Sequence, residues 1–115
     1  MSLSIIISEN ETWEISIPIF VQMSDAIYEQ LNKRDPFEQK LATILDEATI
    51  FIEFDDFTVE EFNHLCRIYK KAMEKYPDSK NGLRSKKNGH FEEIWGGFEA
   101  FPKRLKLDPR YRDSL

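Results

Sequence analysis

Between Thr58 and Tyr76 the chain repeats an apolar residue at the spacing of an amphipathic helix. Phe62, Leu65, Cys66, Tyr69, Ala72, Met73 and Tyr76 follow the i, i+3, i+4, i+7 pattern, and Pro77 ends it. No other stretch constrains the fold as tightly. A helix this one-sided gains most of its stability by burying its stripe, so the chain must build a second apolar surface for it to rest on. The start of the helix is equally well specified. With Thr58 as N-cap, TVEE reads as a capping box in which Thr58 and Glu61 satisfy each other's amides, and Phe57 and Phe62 occupy the two positions of a hydrophobic staple.

The second surface is a sheet. LSIIIS places Leu3, Ile5 and Ile7 on one face; after the polar turn ENE, TWEISIPIF places Trp13, Ile15, Ile17 and Ile19 on one face. Period-two alternation on both sides of a short polar turn predicts a hairpin, with Pro18 marking an edge or the end of the second strand. Residues 49–54, TIFIEF, alternate again and predict a third strand that buries Ile50, Ile52 and Phe54. Between the strands, Met23, Ala26, Ile27 and Leu31 predict one helix starting near Ser24 or Asp25. Asp35, Pro36 and Glu38 open another, buried through Phe37, Leu41, Ile44, Leu45 and Ala48. Beyond Pro77, residues 78–89 carry two Asn-Gly pairs and read as a basic loop. Phe91, Ile94, Trp95, Phe98 and Phe101 return to helical spacing until Pro102. The order is ββααβαα. It predicts an α+β fold, a small antiparallel sheet of about three strands with helices packed on one face.

At 115 residues, with nine Phe, four Tyr and two Trp, the chain has the size of one domain and enough aromatic area for a core without disulfides. The expectation is a single globular domain over 1–115 with a basic C-terminal segment over 102–115. The lone Cys66 can neither bridge nor build a metal site by itself, and no apolar run reaches the length of a membrane span. Without a basic-then-apolar leader pattern, the expected location is cytoplasmic. The net charge of −5 is polarised: residues 1–79 hold 16 acidic and 7 basic side chains, residues 80–115 hold 5 acidic and 9 basic. A molecule of that kind repels nucleic acid over most of its surface and steers a basic protein toward itself.

The acidic density peaks in FIEFDDFTVEEFNHL, residues 51–65. Glu60 and Glu61 are explained by the helix start, where the dipole favours negative charge by about 0.3–1 kcal/mol each. Asp55 and Asp56 fall in the strand-to-helix turn, and His64 on the polar side of the helix, where it reads as a surface histidine. These carboxylates lack the convergence and charged partners of a catalytic or metal site. Neither HExxH, an EF-hand loop, GxSxG, a P-loop nor GxGxxG occurs, and Cys66 lies on the buried stripe. No catalytic residue, metal or cofactor is assigned. Asp55, Asp56, Glu60, Glu61 and His64 are instead the candidate partner-binding surface.

FDDFTVEEFNHL, residues 54–65, resembles the helix-start stretch of the small acidic immunity proteins that neutralise nuclease bacteriocins. Those proteins are helical bundles, whereas this chain opens with strands; it is more similar to the wider class of immunity proteins for contact-dependent toxins, in which many folds serve one task. The resemblance implies stoichiometric inhibition of a toxin domain by an acidic face. Three readings follow in rank order: an inhibitor or immunity protein for a basic, nuclease-like toxin; a self-associating regulatory or structural domain, signalled by Phe20, Tyr28 and Phe51 opposite the buried stripes; and, last, a small enzyme. Homo-oligomerisation stays open.

Overall fold

The computed structural model describes residues 1–112; the last three residues of the basic segment, 113–115, lie outside the described residues. The fold is α+β. Strands β1 (Ser2–Ser8) and β2 (Glu11–Ser16) form the expected hairpin. Helices α1 (Ile17–Tyr28) and α2 (Pro36–Glu47) lead to β3 (Phe51–Glu53), and α3 (Val59–Lys75), α4 (Lys80–Lys87) and α5 (Phe91–Leu105) complete the chain. The sheet order is β2-β1-β3. β1 pairs antiparallel with β2 and parallel with β3, so the sheet is mixed rather than wholly antiparallel. The reason is the connection. α1 and α2 form a crossover long enough to return the chain to the far side of β1 in the same direction, which a hairpin cannot do.

Leu3, Ile5, Ile7, Trp13, Ile15, Ile52 and Phe54 form the buried face of the sheet, in one core with the α3 stripe. The opposite face carries Ser2, Thr12, Glu14, Phe51 and Glu53 in the open. Ile50 is exposed and precedes β3 instead of joining its buried side. α1 begins at Ile17, well before Ser24. Pro18 falls in its first turn, where a missing N–H costs nothing, and the buried stripe is Phe20, Met23, Ala26 and Ile27. Phe20 is therefore a core residue, not an exposed aromatic.

The stretch expected as a basic loop contains α4. Ser79 caps it by accepting a hydrogen bond from Gly82 N at 3.0 Å, and the first Asn-Gly pair sits inside its first turn. The second pair ends it. Gly89 has φ of 77°, its amide bonds the carbonyl of Lys86, and that of His90 bonds Ser85, which is a Schellman termination.

α5 also outruns its expected end, continuing through Pro102 to Leu105. A proline inside a helix leaves the carbonyl four residues earlier without its donor. Here that carbonyl belongs to Phe98, and the buried Tyr69 hydroxyl of α3 donates to it at 2.8 Å. Burial pushes the Tyr69 phenol far above its ordinary range, so it stays a donor at any physiological pH. Gly97 lets the same helix close on α1, since a Cβ there would stand 2.6 Å from Ile19 Cγ2.

Tyr69→Phe is expected to cost about 1–3 kcal/mol in urea unfolding, the penalty for an orphaned buried carbonyl. In a Pro102→Ala background the alanine supplies the missing amide, and the same change should cost clearly less. Equal costs in both backgrounds would show that the hydroxyl does not serve the gap left by the proline.

Candidate functional site

The acidic corner is a strand–turn–helix unit. β3 ends beside Phe54, whose amide bonds the carbonyl of Ile6 at 2.8 Å. The chain turns through Asp55 and Asp56, with Phe57 N on the Phe54 carbonyl, and enters α3 at the Thr58 cap. The capping box is complete: Glu61 N donates to Thr58 Oγ1 at 3.1 Å and Thr58 N to Glu61 Oε1 at 3.0 Å. Phe54, Phe57 and Phe62 anchor the unit from below, all buried.

Holding this corner to the rest of the molecule is Arg110, which nothing in the residue order distinguishes from the other bases of the tail. Its guanidinium carries five N–H groups. Nε and Nη2 donate to Asp108 at 2.9 and 3.0 Å, Nη1 to the carbonyls of Phe54 and Phe57 at 2.8 and 2.9 Å, and Nη2 to that of Ile7 at 2.6 Å. The plane stacks 4.3 Å from the Phe62 ring centroid. Asn63, also buried, finishes the attachment of the tail. Its amide donates to the carbonyls of Val59 and Arg110, both at 2.8 Å, and its oxygen accepts from Arg112 N at 2.9 Å. Burial raises the affinity of Asp108 for a proton, but the hydrogen bonds and charge of Arg110 outweigh it and hold that carboxyl below the ordinary range.

The candidate residues divide into two groups. Glu61 is committed: the Thr58 amide first, and the Lys40 ammonium 3.4 Å away, keep it below the ordinary glutamate range. His64 is committed as well. It is half-buried rather than a surface histidine, with Nε2 3.1 Å from Glu38 Oε2 and its ring 4.9 Å from that of Phe37. Asp55, Asp56 and Glu60 are exposed and make no hydrogen bond or ion pair within the described residues. Glu53 resembles them. The exposed three do not share one pocket. Asp55 borders a groove of about 470 Å³ beside Glu11 and Arg104, Asp56 one of about 380 Å³ beside Phe51, and Glu60 one of about 410 Å³ beside Phe37 and Arg67. The arrangement is an exposed acidic corner between shallow grooves.

Asp35, Glu38 and His64 bring ligand atoms within 4.8 Å of one another, the spacing of a metal site. Each already has an internal partner. Asp35 caps α2 by accepting from Glu38 N at 3.1 Å, and Glu38 accepts from Asn32 N at 2.8 Å as well as meeting His64. Within the trio, the Glu38–His64 contact bridges α2 and α3, and Asp35 is spent on the start of α2. Burial pushes the Cys66 thiol up to about 11, which leaves it protonated and a poor nucleophile at neutral pH.

No family model matches the chain, and no curated protein does. Among solved structures it is similar to one chain of the complex between the CdiA-CT toxin from Burkholderia pseudomallei E479 and its cognate CdiI immunity protein. The TM-score is 0.70 at 14 % identity, covering 94 % of this chain and 97 % of that one. The two share a fold over nearly their whole lengths. No helix among the described residues is long and apolar enough to cross a membrane.

Arg110→Lys cannot reproduce the five-donor fork and is expected to cost about 2–4 kcal/mol in urea unfolding. The acid limb should change with it. Asp108 and Glu61 titrate lower when folded than unfolded, so their stabilisation is present above the ordinary carboxyl values of about 3.9 and 4.3 and is lost as pH falls through the folded ones. Stability of the Arg110→Lys variant should fall less steeply below about pH 4 than that of the parent. For the corner itself, Thr58→Ala should cost about 0.5–2 kcal/mol and Asp56→Asn close to nothing in the same assay. A matching loss from Asp56→Asn would give that carboxylate a structural duty.

Proposed function

We propose that this chain is a non-catalytic immunity protein that neutralises a toxin domain by binding it stoichiometrically, with Asp55, Asp56 and Glu60 steering a basic, nuclease-like surface onto the acidic corner. One observation carries the reading. A fold shared end to end with a chain of a toxin–immunity complex here presents unpaired carboxylates on a rigid strand–turn–helix unit. The immunity side of such a pair is favoured because the residues that chemistry would need are spent on structure. Cys66 is held as a thiol, His64 is bonded to Glu38, and Asp35 caps a helix. Glu61 and His64 belong to the site as its supports: through Lys40 and Glu38 they tie α3 to α2. Unpaired surface charges set association rate, while an exposed aromatic neighbour such as Phe51 supplies the desolvated anchor.

Self-association is the second reading, favoured by Phe51 and Ile50 standing 46 % and 68 % exposed side by side. Tyr28, the other exposed aromatic, has its hydroxyl on Asp46 at 2.7 Å.

The test is stopped-flow binding to basic, nuclease-like toxin domains, taken first from genes neighbouring this chain's own, across a salt series, with growth rescue on co-expression. The wild type should bind one-to-one and restore growth. Asp55→Lys with Glu60→Lys should cost no more than about 1–2 kcal/mol in unfolding, the helix-dipole share of Glu60, and should slow association by about tenfold or more at low salt, converging at high salt. Unchanged kinetics would make the cluster no more than a helix start. A concentration-dependent dimer with no toxin binding would favour self-association.

A further inference from the structure

β3 is an outer strand of the sheet, and one of its edges is unused. In its parallel register Ser4, Ile5 and Ile6 stand beside Phe51, Ile52 and Glu53. Ser4 N bonds the carbonyl of Ile50 and Phe54 N that of Ile6. Alternation then turns the backbones of Ile50, Ile52 and Phe54 toward β1, and those of Phe51 and Glu53 away from it. The outward N–H and C=O groups of Phe51 and Glu53 have no intramolecular partner among the described residues. An open edge of this kind is a template for another strand unless charge or cover blocks it.

What lies beside the edge says which strand it would take. The groove of about 380 Å³ between β3 and α2 has Ile44, Ala48 and Ile52 in its lining. Glu47, Glu53 and Asp56 stand around it, and none is in an ion pair among the described residues. Its single base, Lys40, is spent on Glu61 and on the face of Phe57. An acidic rim beside an apolar lining complements an extended chain whose side chains alternate apolar and basic. The apolar ones would fill the space against Ile44 and Ile52, and the basic ones would lie over Glu53 on the wet face. The opposite sheet edge offers no such match: β2 presents Thr12 and Glu14, and Glu14 already accepts from Ser2 and Ser4.

We propose that the free edge of β3 receives an extended segment of the toxin partner as a fourth strand, with alternating apolar and basic side chains. The inference rests on the immunity reading and makes it specific: main-chain hydrogen bonds to Phe51 and Glu53 give the docking its register, and the carboxylates select the sequence.

A hexapeptide of alternating valine and lysine, titrated into the labelled protein, tests the edge directly by amide NMR. Shifts should concentrate at residues 51–53 and along the C-terminal half of α2. Glu53→Lys should weaken binding by about tenfold at low salt. Phe51→Pro removes an outward N–H while sparing the ladder to β1, and should abolish the shifts. An alternating valine–glutamate peptide should give none. The inference is overturned by no shift at 51–53 with millimolar peptide, by equal binding of the glutamate peptide, or by this edge pairing with a second copy of the chain. Against the toxin domain, full binding by both the Phe51→Pro and Glu53→Lys variants would sink the added strand and leave the immunity reading standing. Peptide binding at the edge by a wild type that binds no toxin would sink the immunity reading and the toxin as occupant, leaving only the edge's preference for an apolar–basic strand.

Discussion

The guanidinium of Arg110 is the point on which the molecule turns. It ties the end of β1, the end of β3, the turn into α3 and the C-terminal segment into one unit, using every N–H it has. Three of its acceptors are main-chain carbonyls at a strand end and in a turn. That of Phe54 also accepts from Phe57 N at 3.3 Å, so the cost of an orphaned carbonyl, about 1–3 kcal/mol each, falls on Ile7 and Phe57. A lysine could not span them, because its three donors radiate from a point and do not form a planar fork. The charge is tolerated at this depth because Asp108 neutralises it and the Phe62 ring faces it. A positively charged tail residue is thus the clamp of an acidic corner.

That clamp changes how the surface charge should be read. The molecule has more carboxylates than bases, yet a good share of them are inward-working groups: Asp35 and Glu61 at helix starts, Glu38 on His64, Asp108 on Arg110, Glu11 on Arg104. Each has a partner that offsets its desolvation. Glu53, Asp55, Asp56 and Glu60 are among those without a partner within the described residues, and these four lie within eight positions on one strand–turn–helix unit. Exposed charges of that kind contribute little to stability and act at long range, so under the immunity reading their concentration at one corner would bear on encounter with a partner rather than on folding.

Much of this was legible from residue order. The α3 stripe, its capping box and staple, the hairpin, the cap of α2, the buried face of β1 and the burial of Ile52 and Phe54 follow from periodicity and cap chemistry, which are local, whereas Ile50, expected beside them, stands exposed. The parts that were not legible are those where a distant atom repairs a local fault. Pro102 signals a helix end, and the helix continues because Tyr69 reaches the stranded carbonyl from another element. Asn-Gly pairs signal loops, and here one is absorbed into the first turn of α4 under the Ser79 cap. Pro18 signals a strand end, which it is, but equally a helix start one residue earlier. The parallel pairing of β3 depends on the path of the crossover, which no short window contains. Within the site, Glu61 was legible as a cap, and the free status of Asp55, Asp56 and Glu60 agrees with their turn and solvent-side positions. Arg110 and Asn63 carried no local signal, since an arginine in a basic tail and an asparagine on a polar helix flank look like solvated residues.

The division between inward and outward groups also bears on how a fold can be shared at 14 % identity and a TM-score of 0.70. What fixes this frame is a small set of internal devices: a buried face of aliphatic and aromatic residues, a capped helix across it, and polar clamps that satisfy irregular backbone. Beyond the small helix-dipole contribution of Glu60, none of them involves Glu53, Asp55, Asp56 or Glu60. Those positions can therefore change without disturbing the frame, and the outward edge of β3 keeps its main-chain groups whatever side chains it bears. Under the immunity reading this is the property such a protein needs. The backbone edge offers any partner the same hydrogen-bonding template, and the loose side chains around it decide which partner is accepted.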